Sequence, residues 1–69
     1  MEGVIKRLVR DKGFGFVRDA DSGTEYFFHR SSVIRAPFET LNEGDVVTFD
    51  QEPSPKGPRA SNVERATHV

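Results

Sequence analysis

Polar and apolar residues alternate along this chain in short stretches set between turn-forming residues, and no stretch keeps a helical period for a useful length. From Val4 to Val9 a strand is expected, with Ile5, Arg7 and Val9 on one face and Val4, Lys6 and Leu8 on the other. Neither face is wholly apolar, which predicts a bulge or a half-exposed strand. Phe14 to Arg18 and Glu25 to His29 form a hairpin around the polar, glycine-containing Asp19-Ala20-Asp21-Ser22-Gly23-Thr24. A longer connection follows from Ser31 to Asn42. Ser31 to Ile34 can make one helical turn there, and Ala36-Pro37 blocks continuation as strand or helix. After a turn at Asn42-Glu43-Gly44-Asp45, Val46 to Gln51 alternates again, Val47 and Phe49 against Thr48 and Asp50. Pro53 to Pro58 is a loop that cannot pair regularly, and Ala60 to Arg65 is the last strand. Five short strands in so small a chain predict an all-β barrel, closed or nearly closed, because closure removes exposed edges. An SH3-like barrel is the competing choice. The long connection between the third and fourth strands favours a five-stranded antiparallel OB-fold barrel with Greek-key connectivity.

Within the hairpin, Lys12-Gly13-Phe14-Gly15-Phe16-Val17 puts two rings on one face of a strand and Val17 on the other. Gly13 and Gly15 are expected to leave room for something flat to lie against the rings; the structural alternative is a bulge or tight bend. Tyr26-Phe27-Phe28-His29-Arg30 adds a second aromatic run. Its alternation sends Phe27 and His29 one way and Tyr26 and Phe28 the other. Antiparallel pairing gathers Phe14, Phe16, Phe27 and His29 on a single face. A core needs only one of the hairpin's two aromatic faces, so the other is expected to meet solvent or a ligand. Rings beside cations form a platform on which single-stranded bases stack. Tyr26, Phe28, Val17, Val47, Phe49 and Val63 are the expected core.

Sixty-nine residues make one domain near the lower limit for folding unaided, and the chain has no cysteine to supply disulfides or thiolate metal ligands. A single domain over residues 1–69, with its core at about 3–65, is expected. No apolar run approaches a membrane span, and Met1-Glu2-Gly3-Val4 lacks the basic and apolar regions of a signal peptide. The expectation is a cytoplasmic protein with no membrane partner. Net charge is −1, but its distribution is uneven. Residues 1–18 carry five cations against Glu2 and Asp11, whereas residues 39–52 carry five acids and no cation. The cations travel with the rings. Enzyme chemistry finds no support: no phosphate-binding loop or metal spacing occurs, and the carboxylate pairs Asp19/Asp21 and Glu39/Glu43 lie in turns. His29 has only His68 as a second histidine, which argues against a metal site, and no cofactor or small-molecule substrate is expected.

The two aromatic motifs, their order and the segment Gly57-Pro58-Arg59-Ala60-Ser61-Asn62-Val63 together resemble the bacterial cold-shock proteins, from Gly3 to about Val63. Lys12 to Val17 matches that family's first ribonucleoprotein motif and Phe27-Phe28-His29 the core of its second. Phe38, Leu41-Asn42-Glu43-Gly44 and Gly57-Pro58 also fall in register. The same hexapeptide begins the signature of RNA-recognition-motif domains. There it follows a strand and a helix, for which no room precedes Lys12, and Asp19 stands where that signature ends in an aromatic residue. Two departures from the cold-shock pattern stand out. Arg7-Leu8-Val9 replaces the usual Trp-Phe-Asn run, and Arg30 follows His29 where a phenylalanine is usual. Guanidinium groups thus replace two rings, shifting the expected balance from stacking toward phosphate contact.

The resemblance implies sequence-tolerant binding of single-stranded RNA and DNA, and the role of an RNA chaperone affecting translation or transcription termination. It assigns stacking to Phe14, Phe16, Phe27, His29 and, in the long connection, Phe38, for which a hydrophobic clamp on the loop beside Pro37 is the alternative. Phosphate contacts fall to Lys6, Arg7, Lys12 and Arg30, with Lys56 and Arg59 as weaker candidates. The rival is a small-barrel interaction module in which Arg7 and Arg30 meet an acidic protein partner. A monomer is the expected state, with a domain-swapped dimer left open.

Overall fold

The structure, a computed structural model, describes residues 1–66 except Ala36 and Lys56. Five strands, β1 (Glu2–Val9), β2 (Phe14–Asp19), β3 (Glu25–His29), β4 (Val46–Glu52) and β5 (Arg59–Arg65), close into a barrel in the order β1-β2-β3-β5-β4. This is the OB-type Greek-key arrangement. Neighbours in the barrel pair antiparallel except at the seam between β3 and β5, where Phe27 lies beside Arg59 in parallel. Among the described residues, no helix is long and apolar enough to cross a membrane.

The ladder between β1 and β2 slips between Ile5 and Arg7, so one extra residue, Lys6, is accommodated as a bulge. The slip resolves the mixed faces of the first strand. Ile5 is buried and Leu8 packs against the core, while Arg7 lies opposite Phe16 and Val9 opposite Phe14 on the outer face. Simple alternation would have put Ile5 and Arg7 on the same side; the bulge separates them. Beyond Val4 the other edge of β1 leaves β4. It is covered by Ile5 N donating to Asp45 O at 2.9 Å and Leu8 N donating to Glu43 Oε2 at 3.1 Å.

The core joins Ile5, Val17, Tyr26, Phe28, Phe38, Leu41, Val47, Phe49, Ala60 and Val63. It includes every side chain expected there from alternation. Tyr26 packs on Phe49 with ring centroids 5.2 Å apart. Ile5, Leu41, Ala60 and Phe38 join them. Phe38 is the correction. It opens a short 3-10 turn (Phe38–Thr40) just after Pro37, is only 5% exposed, and meets Phe28 edge to face at 6.2 Å. The turn carries Phe38 and Leu41 inward to fill one end of the barrel, so Phe38 is a core ring and not a free stacking surface. Arg10 reinforces this closure, its Nη2 donating to Leu41 O at 2.7 Å.

The glycines of the hexapeptide also serve the fold. A Cβ on Gly15 would lie 2.7 Å from the Arg7 carbonyl oxygen and 2.9 Å from the Phe28 ring, so its missing side chain lets β1, β2 and the core approach one another. Gly13 takes φ of +73° in the turn before β2, and a Cβ there would meet the Arg30 stem at 2.9 Å. The room these glycines leave is therefore filled by the protein itself, not held open for a ligand.

Candidate nucleic-acid interface

The ladder between β2 and β3 pairs Phe14 with His29 and Phe16 with Phe27, which places all four side chains on the outer face of the barrel. The rings remain half-buried because they partly cover one another. Their centroids lie 5.5 Å apart for Phe14–Phe27, 5.9 Å for Phe16–Phe27 and 6.0 Å for Phe14–Phe16. Phe16 stands nearly at right angles to Phe14, at 88°, so the three rings form a corrugated surface.

His29 is held by the turn that follows it. Its Nδ1 accepts from Ser31 N at 3.2 Å and lies 3.0 Å from Ser31 Oγ, capping the 3-10 turn Arg30–Ser32. With Nδ1 accepting from the backbone, the neutral ring carries its proton on Nε2. This fixes the ring beside Phe14 as an oriented plane with one polar edge.

Cations frame the rings. Arg7 faces Phe16 from β1, and Arg59 flanks Phe27 from β5, giving the row Arg7–Phe16–Phe27–Arg59 across four strands. The Arg59 guanidinium carbon lies 5.8 Å from the Phe27 ring centroid, within range of a cation–π contact. Lys12 enters β2, and Arg30 leaves β3 with its amide donating to Gly13 O at 2.8 Å. The side chains of Lys6, Arg7, Lys12 and Arg30 are exposed, and among the described residues none of them makes an ion pair. Three other arginines are occupied: Arg65 by Asp45, Arg35 by Glu64 and Arg10 by Leu41 O. Lys56 lies outside the described residues. A cavity of about 440 Å³ opens beside the rings, lined by Phe16, Phe27, Ser54, Gly57, Pro58 and Arg59.

Of the residues named from sequence, Phe14, Phe16, Phe27, His29, Arg7 and Arg59 share this face, with Lys6, Lys12 and Arg30 exposed at the bulge and turns bordering it; Phe38 does not. The contact of Arg59 with Phe27 was not legible locally, since it depends on a parallel seam between residues far apart in sequence. Val9 also joins the face, opposite Phe14, through the bulge.

A five-stranded OB barrel bearing this ring-and-cation face is the architecture of a family of nucleic-acid-binding domains. The chain belongs to that family: the model of the 'Cold-shock' DNA-binding domain matches residues 1–66. Among curated relatives, Cold shock protein 2 of Lactiplantibacillus plantarum is 45% identical over 62 residues, covering 90% of this chain and 92% of the relative. Cold shock-like protein CspB of Escherichia coli strain K12 is 43% identical over 63 residues, covering 91% and 89%. A cold shock-like protein of Aquifex aeolicus is 39% identical over 61 residues, covering 88% and 87%.

Proposed function

We propose that this chain binds single-stranded RNA and DNA with little sequence preference, and that it acts as an RNA chaperone by trapping weak structure in its open form. The observation that carries the reading is the half-buried cluster of Phe14, Phe16 and Phe27, every centroid within 6.0 Å of the others, on a face away from the core. Rings left partly open to solvent on the outer face suit a flat ligand with faces on both sides. Bases in a single strand provide that, and each stacked base contributes about 1–3 kcal/mol. Lys6, Arg7, Lys12 and Arg30 then hold the phosphates that link the stacked bases. A handful of such contacts competes with a marginal hairpin but not with a long duplex. No nucleotide hydrolysis enters, because binding the open strand shifts its equilibrium by mass action.

Effects on translation or transcription termination follow from that action wherever a weak hairpin controls either process. The decisive experiment is titration of a fluorescent oligopyrimidine with the protein at low and moderate salt. Saturable binding that weakens with salt is expected, and no binding at low salt would overturn the reading.

A further inference from the structure

Arg30 leaves the end of β3 and turns back over Gly13, the residue that precedes Phe14. A Cβ on Gly13 would lie 2.9 Å from Arg30 Cδ, 3.3 Å from Nε and 3.4 Å from Cγ. The stem of the arginine therefore occupies the place of the missing side chain. The floor beneath it is fixed by its own backbone bonds. Gly13 N donates to Val9 O at 2.9 Å, and Gly13 O accepts from Arg30 N at 2.8 Å. A φ of +73°, natural to glycine, sets the turn that presents this bare backbone. Gly13 is buried although Arg30 itself is exposed, and the arginine stem is part of its cover. The guanidinium makes no ion pair among the described residues. It belongs to the end of the ring cluster where Phe14 pairs with His29.

Resting on the single-strand reading above, we infer that Gly13 is a positioning residue for Arg30: its bare backbone seats the stem and holds the guanidinium ready for one phosphate at the Phe14–His29 end. An exposed arginine gives up rotamer freedom when it takes hold of a phosphate. A stem already laid on a fixed floor has given up part of that freedom before the strand arrives, so less is lost on binding. A side chain at Gly13 would lift the stem away. The clash itself costs the fold little, because the atoms it meets belong to a flexible side chain that can swing aside. What changes is the aim of the guanidinium. The seat thus acts on affinity and acts through Arg30, whereas strain at the positive φ acts on stability.

The test is a double-mutant cycle between positions 13 and 30, read as oligothymidine affinity by fluorescence anisotropy at fixed salt. Urea unfolding of every variant gives the folded fraction for which each affinity is calculated, so lost stability is not counted as lost binding. Gly13→Asn is the first choice, since asparagine tolerates a left-handed backbone yet carries the obstructing Cβ; Gly13→Ala is the second. Each should weaken binding by about two- to tenfold in the parent. In the Arg30→Ala background no stem lies over the turn, and neither should weaken binding further. Three results overturn the inference: a Gly13→Asn variant that binds as tightly as the parent, an Arg30→Ala variant that does so, or a loss in Gly13→Asn of the same factor with and without the Arg30 side chain. The last would show that Gly13 acts on the strand independently of Arg30. If no oligonucleotide binds the parent, the single-strand reading fails and the seat with it, whereas binding without coupling between the two positions removes only the seat.

Discussion

Phe16 and Phe27 face each other directly across the β2–β3 ladder, with centroids 5.9 Å apart and planes inclined at 70°. Both point away from the core, which is closed on the other side by Val17 and by Phe28, each fully buried. Because neither ring supports the barrel from within, Phe16→Ala and Phe27→Ala should each weaken single-strand binding by about 1–3 kcal/mol. The thermal unfolding midpoint should stay close to that of the parent. Circular dichroism melts run beside the binding titrations check this, and unfolding of either variant would place the ring in the core.

Phe38 predicts the opposite pattern. It is buried against Phe28 at the barrel end, so Phe38→Ala leaves a cavity that the short turn around it can only partly fill. The expected loss is about 3–5 kcal/mol of folding stability, large for a domain of this size. Urea unfolding measures it. Binding by the fraction that remains folded should be nearly unaffected, and a binding defect without a stability defect would restore Phe38 to the interface.

Gly15 makes a related point about the hexapeptide. A methyl group there would press on the Arg7 carbonyl and the Phe28 ring, neither of which can swing away cheaply. Gly15→Ala should therefore cost about 1–3 kcal/mol by overpacking, again read from urea unfolding. A variant as stable as the parent would show that β1 and β2 can separate without penalty.

These contrasts show where the sequence was readable. The hairpin was legible because strict alternation in Phe14 to Arg18 and Glu25 to His29 assigns every side chain to a face without reference to the rest of the chain. The first strand was half legible: its mixed faces signalled irregularity, but only pairing with β2 placed the extra residue at Lys6. The stacking expected of Phe38 rests on the family resemblance, and the turn that folds the ring inward depends on the open barrel end it fills, which no local pattern shows. The environment of Arg59 was hidden for the same reason, since its neighbours Phe27 and Glu52 come from two other strands.

Charge on the face should be visible as salt dependence. Affinity for a single strand should fall on a log–log plot by about 0.7 per phosphate neutralised. Arg7 and Arg30 are exposed and make no ion pair among the described residues, so they are free to contact phosphate. Arg7→Ala and Arg30→Ala should each flatten the slope by roughly one contact. An unchanged slope in both would show that these guanidinium groups do not contact phosphate.

Single strands should be preferred over duplex of the same sequence. Phosphates are present in both, and duplex has the higher charge density, so a basic patch acting alone would bind duplex at least as well. The rings should reverse that order, because stacking on Phe14, Phe16 and Phe27 would require bases whose faces are free. The experiment is competition of unlabelled duplex against a fluorescent pyrimidine-rich single strand at fixed salt, together with melting of a marginal RNA hairpin in the absence of ATP. Duplex should compete poorly, and the hairpin should open progressively as protein is added, because each bound molecule withdraws one open strand from the equilibrium. Phe16→Ala should bring the single-strand and duplex affinities closer together, since it removes stacking and leaves the charges in place. Equal or stronger competition by duplex with the parent protein would show that the rings take no part and that electrostatics alone accounts for binding.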